Sequence, residues 1–113
     1  AYAPYSGFKV GAALLTDSGR LFTGANIENA SYGASICAER AAVYAAVLEG
    51  ERKFRAIAVA GGSDKPVYPC GICRQVISEF AEKDAVKVIC ANRQGNYEVY
   101  MFDELLPNSF RLK

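Results

Sequence analysis

Three cysteines and one glutamate stand at the starts of two predicted helices, in a chain that contains no histidine. Residues 37–39 read Cys-Ala-Glu, and residues 69–73 read Pro-Cys-Gly-Ile-Cys. Three thiolates around a tetrahedral zinc leave one position open for water, and a neighbouring carboxylate can move that water's proton. A structural zinc site normally closes all four positions. The pattern therefore predicts a catalytic Zn²⁺, one per chain, at a point where both helix starts meet.

The length and charge of the chain limit the classes of protein to which it can belong. Its 113 residues suit one domain with a modest core. The chain has 13 Lys and Arg residues against 12 Asp and Glu residues, and no run of like charges predicts a phosphate-tracking surface. Apolar runs stop well short of the roughly 18 residues that a membrane span needs, and we expect no signal segment, since no charged stretch followed by an apolar one opens the printed sequence. We therefore expect a cytoplasmic protein that contacts neither a nucleic-acid polymer nor a membrane.

Hydrophobic patterning and turn residues predict the order β-β-α-β-α-β-β, an α/β fold with mixed strand directions. The predicted strands are Phe8 to Thr16, Leu21 to Ile27, Ala56 to Ala60, Val86 to Ala91 and Tyr97 to Phe102, and the predicted helices are Cys37 to Leu48 and Cys70 to Phe80.

The first predicted helix carries no charge from Ala41 to Leu48. A helix that is apolar all round must be covered on both faces, which predicts contact with the sheet and with another subunit. The alternative is a helix buried entirely within one chain.

The pair Cys70 and Cys73 starts the second helix, where backbone N–H groups and the helix dipole favour thiolates. Without a signal segment, a C-x-x-C pair favours metal-binding thiols over disulfides. A thioredoxin-like redox pair is the alternative, but it leaves Cys37 and Glu39 without a role. Cys90 lies in an apolar strand and is interpreted as a core residue rather than a fourth ligand.

Glu39 and Arg40 follow the first cysteine directly. At the first turn of a helix, the side chains of residues 37 and 39 can both reach one metal centre, so Glu39 is the candidate proton carrier. Without the cysteines beside it, Glu39 would be interpreted as a solvated carboxylate on the helix surface. Three thiolates leave a net negative zinc centre, which makes bound water a poorer acid. Arg40 is the candidate residue to offset this charge by donating to ligand sulfurs, whereas Arg74 is the weaker candidate.

Residues 37–40, Cys-Ala-Glu-Arg, and residues 69–75, Pro-Cys-Gly-Ile-Cys-Arg-Gln, resemble the zinc signature of cytidine deaminases in their all-cysteine, homotetrameric form. The resemblance extends over residues 2–6, 8–15, 26–30 and 104–107. It implies a three-layer cytidine deaminase-like fold, with a mixed five-stranded sheet packed by helices, and one catalytic domain over residues 1–113. The family usually begins with a further helix before the position of Ala1, and we expect that helix to be absent from this chain.

The resemblance implies hydrolytic deamination of cytidine and deoxycytidine to uridine and deoxyuridine, with release of ammonia, in pyrimidine salvage. Zinc would activate the attacking water, and Glu39 would move its proton to ring nitrogen 3 and then help ammonia to leave. One carboxylate would thus serve as base and then as acid.

The resemblance also implies a set of substrate-binding residues. Asn26 and Glu28 would hold the ribose hydroxyls, and Phe8 would lie against the base, although Asn26 and Glu28 could instead shape a turn and Phe8 could belong to the core. A ribose-binding carboxylate repels a nearby phosphate, which favours a free nucleoside over a nucleotide. Four further assignments follow: backbone groups of Ala38 and Cys70 at the base edge, and Tyr32 and Phe110 in a neighbouring subunit's pocket.

Two other functions compete with cytidine deamination. The first is deamination of a nucleoside antibiotic such as blasticidin S. The pair Asn26 and Glu28 favours a ribose or deoxyribose ligand over such an antibiotic. The second is a non-enzymatic zinc module in which Cys90 completes a four-thiolate site, although it leaves Glu39 unexplained.

Overall fold

A five-stranded sheet with helices packed on it forms the computed structural model, which describes residues 1–81 and 85–112. The elements are β1 (Val10–Thr16), β2 (Leu21–Ala25), α1 (Ala38–Leu48), β3 (Phe54–Gly61), α2 (Gly71–Phe80), β4 (Lys87–Ala91), β5 (Tyr97–Met101) and α3 (Phe102–Leu105). The predicted order of strands and the two predicted helices is confirmed.

Two short elements were not predicted. A single 3-10 turn covers Tyr32–Ala34, and Phe102 begins α3 instead of ending the last strand. The Glu104 carboxylate accepts from the backbone N–H of Met101 across 2.8 Å, which stabilises the start of this one-turn helix. The predicted end of the last strand was therefore wrong by one residue. The α3 turn depends on the side chain of Glu104, which lies beyond the apolar run from which the strand was predicted.

The strand order β2-β1-β3-β4-β5 explains why two helix starts meet. Strand β1 is antiparallel to β2 and to β3, so β2 and β3 run in the same direction and end at one edge of the sheet. Helix α1 comes after β2 in the chain, and α2 comes after β3 and leads into the parallel strand β4. Both helices therefore begin near the carboxyl ends of strands, where α/β proteins commonly bind their ligands.

The core lies between one face of the sheet and the helices. Alternation along the strands sends Leu14, Ile57 and Val88 to the same buried face. Val43 of α1 and Ile77 of α2 are packed into this cluster and are almost fully buried. The mixed five-stranded α/β fold predicted from the sequence is confirmed.

Gly24 permits α1 to lie directly against β2. A Cβ atom at this position would fall 2.6 Å from the backbone nitrogen of Ala42 and closer still to the carbonyl oxygen of Ala38. Both neighbours are backbone atoms of the helix, which cannot move aside as a flexible side chain can. A glycine at position 24 thus brings the first turn of α1, with Glu39, close to the sheet.

The outer side of α1 is only partly covered within the chain. Ala42 and Ala46 are fully buried, whereas Tyr44 is 44% exposed and Leu48 is 88% exposed. The cover expected from another subunit therefore stays a prediction. In the described part of the chain, the helices are all too short to cross a lipid bilayer.

Candidate metal centre and pocket

The sulfur atoms of Cys37, Cys70 and Cys73 form a tight cluster. All three lie within 4.8 Å of one another, and Sγ of Cys37 is 3.7 Å from Sγ of Cys70. Zn–S bonds of about 2.3 Å at tetrahedral angles place sulfur atoms about 3.8 Å apart. All three cysteines are free thiols. The cluster is therefore positioned to bind a metal ion, and its spacing and donor type fit zinc.

The two helix starts supply this arrangement. Cys37 and Cys70 are the residues that immediately precede the first turns of α1 and α2, and both have extended backbone conformations. Partial burial opposes ionisation of Cys70, but hydrogen bonds from the backbone N–H of Cys73 and from neighbouring thiols lower its pKa. Burial, followed by the charges of Glu39 and Cys37, raises the pKa of Cys73. Crowded negative charge of this kind is what a divalent cation relieves.

Glu39 lies at the cluster and is only 3% exposed. Its position in the first turn of α1 places it beside Cys37, as the sequence predicted. Burial raises the pKa of its carboxyl above the ordinary value, against the lowering effects of its own backbone N–H, of Arg40 and of the Cys73 thiol. A buried carboxyl with a raised pKa is suited to accept and return a proton near neutral pH.

Arg40 contacts the cluster from the side of α1. Its Nη2 donates to Sγ of Cys37 across 3.5 Å, and hydrogen bonding to Cys37 raises the pKa of the guanidinium. Its Nε is buried and has no partner among the described residues. Arg74 takes another role, because it donates to the backbone carbonyls of Pro69 and Leu105, each across 2.8 Å. Arg74 therefore stabilises the segment before Cys70.

A cavity of about 400 Å³ opens beside the cluster, within the usual size of small-molecule sites. Of the residues predicted to act in catalysis or binding, it is lined by Phe8, Asn26, Glu28, Tyr32, Cys37, Ala38, Glu39, Arg40 and Cys70. Cys73 belongs to the sulfur cluster but is not part of the lining. Phe110 is 66% exposed and is not part of the lining. The structure thus brings the predicted residues together within one chain, with the exception of Phe110. Tyr32, which was expected in a neighbouring subunit's pocket, lies in the lining of its own chain's cavity.

Asn26 uses its side chain to shape the pocket wall. Its Nδ2 donates to the backbone carbonyl of Phe8 across 2.9 Å, and its Oδ1 accepts from the backbone N–H of Val10 at the same distance. A single amide thus holds the backbone directly after Phe8, on either side of Lys9, so Asn26 has a structural role whether or not it also binds a ligand.

Glu28 is bound to the chain segment on the other side of Phe8. Its Oε1 accepts from the backbone N–H groups of Tyr5 at 2.9 Å and Ser6 at 3.1 Å, and its Oε2 accepts from the Ser6 hydroxyl. The pKa of Glu28 is lowered, chiefly by the hydrogen bond from the Ser6 hydroxyl and next by that from the Ser6 N–H. The pocket therefore carries a fixed negative charge at this end at neutral pH.

Cys90 is separate from the cluster. It is fully buried in β4 and belongs to the hydrophobic core. Burial, with a smaller contribution from the charge of Glu98, raises the pKa of its thiol to about 11. Its prediction as a core residue is confirmed, and a four-thiolate site is not formed.

Sequence reasoning missed several residues near the pocket, among them Ser6, Tyr68 and Gly24. Ser6 and Tyr68 line the cavity, and Gly24 permits the close approach of α1. A serine, a tyrosine and a glycine are each common in loops and strands, so no local pattern distinguishes them. Their roles depend on partners more than a dozen residues away in the chain.

Comparison with known proteins agrees with this geometry. A family model described as the cytidine and deoxycytidylate deaminase zinc-binding region matches residues 1–91. The chain belongs to this deaminase family. A cytidine deaminase from Halalkalibacterium halodurans is 52% identical over 110 residues, which cover 97% of this chain and 83% of that protein.

Two further proteins are similar to this chain, one by sequence and one by structure. A probable cytidine deaminase from Dictyostelium discoideum is 45% identical over 111 residues, covering 97% of this chain and 74% of that protein. The crystal structure of cytidine deaminase from Burkholderia pseudomallei superposes with a TM-score of 0.89 at 50% identity, covering 96% of this chain and 87% of that one. Membership of a zinc-binding deaminase family, together with the cysteine cluster, confirms the prediction of zinc.

Proposed function

We propose that this protein catalyses the zinc-dependent hydrolytic deamination of cytidine and deoxycytidine, forming uridine and deoxyuridine with release of ammonia. One observation carries the proposal: Glu39 is buried beside three clustered cysteines, at the inner end of a pocket whose outer wall carries Asn26 and Glu28. The pocket thus has a carboxyl group that can transfer protons, Glu39, at its inner end, and polar side chains that can bind a sugar, Asn26 and Glu28, at its outer wall.

Each group at the inner end has a distinct proposed role. A zinc ion held by Cys37, Cys70 and Cys73 would supply the Lewis acid that activates water near neutral pH. Glu39 accepts a proton from the attacking water, delivers it to ring nitrogen 3 and then assists the departing amino group. Its burial keeps bulk water from competing for that proton. Arg40 offsets part of the negative charge of the thiolates through its contact with Cys37.

The outer wall binds the rest of the nucleoside. Phe8 lies against the base, and backbone groups of Ala38 and Cys70 meet the base edge. Asn26 and Glu28 receive the ribose hydroxyls: each keeps hydrogen-bonding capacity beyond its contacts within the chain, since a carboxylate offers about four lone-pair sites. The ionised Glu28 disfavours a phosphate at the same end, so a free nucleoside is preferred to a nucleotide.

A direct assay tests the activity. The zinc-loaded protein is incubated with cytidine, with deoxycytidine and with blasticidin S, and loss of substrate absorbance and release of ammonia are both measured. We expect turnover of the first two substrates. Turnover of blasticidin S alone would support the nucleoside-antibiotic alternative, and no turnover of any of them would support a structural zinc module.

We also propose an active homotetramer with sites shared between subunits. The exposed aromatic side chains of Tyr32 and Phe110 and the exposed outer side of α1 support this assembly, because large apolar groups left in water favour burial against another chain. A cytoplasmic location and a role in pyrimidine salvage belong to the same proposal, since zinc-binding thiols must stay reduced.

A further inference from the structure

Tyr68 connects the pocket wall to the edge strand of the sheet. Its side chain lines the cavity and precedes Pro69 and Cys70 in the chain. Its phenolic hydroxyl donates to Oε1 of Glu98, on β5, across 2.6 Å. The contact joins residues 30 positions apart, so a wall residue of the pocket is held by a strand that has no other part in the site.

A second phenol completes this arrangement. The hydroxyl of Tyr100 donates to the same Oε1 of Glu98 across 2.7 Å, and the rings of Tyr68 and Tyr100 meet edge to face with centroids 6.2 Å apart. Hydrogen bonds to a carboxylate are shorter and stronger than those between neutral groups. The two hydrogen bonds lower the pKa of Glu98, with that from Tyr68 first. The three side chains of Tyr68, Glu98 and Tyr100 thus form one unit, here called the tyrosine bracket.

The register of β4 and β5 directs the bracket toward the pocket. Glu98 lies directly opposite Cys90, whose buried side chain faces the helices. Residues that are paired across two strands project from the same face of a sheet. Glu98 therefore stands on the helix-bearing face, the same side of the sheet as α2 and the turn that leads into it.

The segment before α2 depends on such contacts because residues 66–70 belong to neither a helix nor a strand. Val67 donates from its backbone N–H to Ala91 across 3.2 Å, and the Pro69 carbonyl accepts from Arg74 across 2.8 Å. Tyr68 lies between these two backbone anchors. Its bond to Glu98 determines the direction of the ring that forms this part of the wall.

We infer that Tyr68, held by Glu98 and Tyr100, is a positioning residue that sets the pocket wall for nucleoside binding. The inference rests on the proposed deaminase function. Zinc is held by the cysteines and the proton is carried by Glu39, so the bracket affects how tightly the substrate binds and leaves the chemical step unchanged.

The test compares steady-state kinetics of zinc-loaded variants with cytidine. Tyr68→Phe keeps the ring and removes the tether, and Glu98→Ala removes the acceptor. We expect each to raise KM roughly fivefold, the effect of one hydrogen bond, while kcat and zinc per chain stay near the wild-type values. Glu98→Gln keeps an oxygen that accepts from a phenol, so it should recover part of the loss. Tyr97→Phe is the matched control, because its phenol lies on the opposite face of β5.

Coupling gives the second measurement. The double variant of Tyr68→Phe and Glu98→Ala should be no worse than Glu98→Ala alone, because both changes remove the same hydrogen bond between Tyr68 and Glu98. Unchanged KM in the single variants, additive losses in the double variant, or a fall of kcat together with zinc content would each overturn the inference. Failure of the proposed function is distinguishable, since it appears as absence of deamination in the wild-type protein.

Discussion

The hydroxyl of Ser6 donates a hydrogen bond to the carboxylate of Glu28. The same hydroxyl accepts from the backbone N–H of Phe8 across 3.0 Å. One side chain thus links the carboxylate proposed to bind ribose with the aromatic residue proposed to lie against the base. The polar and the aromatic parts of the outer wall are therefore positioned together.

Ser6→Ala should weaken nucleoside binding without affecting the metal. The change removes both hydrogen bonds of the hydroxyl, so Phe8 and Glu28 lose their common link, and KM for cytidine should rise roughly fivefold with kcat little altered. Steady-state kinetics and zinc analysis measure the two effects. Ser63→Ala is the control, because the Ser63 hydroxyl donates to the Lys65 carbonyl, in a loop outside the pocket lining. If Ser6→Ala and Ser63→Ala had the same KM for cytidine, the proposed link between Phe8 and Glu28 would be contradicted.

Glu39→Gln should abolish most of the activity while the protein keeps zinc. The amide has nearly the same size, but it cannot accept and return a proton, so kcat should fall by about 10²- to 10⁴-fold. The measurements are the rate of ammonia release and zinc per chain. Glu49→Gln, at the exposed end of α1, should behave as the wild type. Near-normal turnover of zinc-loaded Glu39→Gln would falsify the role of Glu39.

The cysteines should divide into three ligands and one core residue. Alanine at Cys37, Cys70 or Cys73 should remove zinc, because two remaining sulfurs do not form a three-ligand site. Cys90→Ala should keep one zinc per chain and reduce the free energy of unfolding by about 1 kcal/mol, since only a small buried group is lost. Metal analysis and urea unfolding test this division. Zinc loss from a folded Cys90→Ala protein is the opposing result.

Arg40→Ala should move the activity profile toward higher pH. Without the guanidinium beside Cys37, the centre becomes more negative and holds the proton of the attacking water more tightly, so the rise of kcat with pH is displaced upward. Arg40→Lys should be intermediate, because it keeps a positive charge. Arg55→Ala is the control, since Arg55 pairs with Asp17 on the surface. A profile identical to the wild type would mean that the helix starts alone balance the thiolates.

The active protein should be a homotetramer in which Phe110 acts at a neighbour's pocket. Phe110→Ala should raise KM while zinc content stays constant, because aromatic cover is lost but no ligand is. Light scattering measures the mass independently of activity. Leu112→Ala provides a control at a similarly exposed position, since Leu112 is 89% exposed. A fully active monomer, or Phe110→Ala with unaltered kinetics, would return Phe110 to a surface role.

The positions of the residues at the inner end of the pocket were predictable because their signals are local. Cys37 and Glu39 share the first turn of one helix, and Cys70 and Cys73 share that of another. Spacing alone can therefore place these side chains at two helix starts. The order of strands and helices was likewise predictable, since hydrophobic period and glycine turns act over a few residues.

The outer wall could not be read from the sequence, because its contacts join distant parts of the chain. Ser6 meets Glu28 across 22 positions, and Tyr68 meets Glu98 across 30. Strand pairing brings such distant segments together. Because β1 lies between β2 and β3, the two helix starts meet at one edge of the sheet, and the register of β4 with β5 places Glu98 opposite Cys90. The sequence by itself determined which candidate residues stand at the two helix starts, because their spacing is set by local helix geometry. Only the tertiary structure decided how the pocket around them is held, because that depends on strand register and close backbone approach.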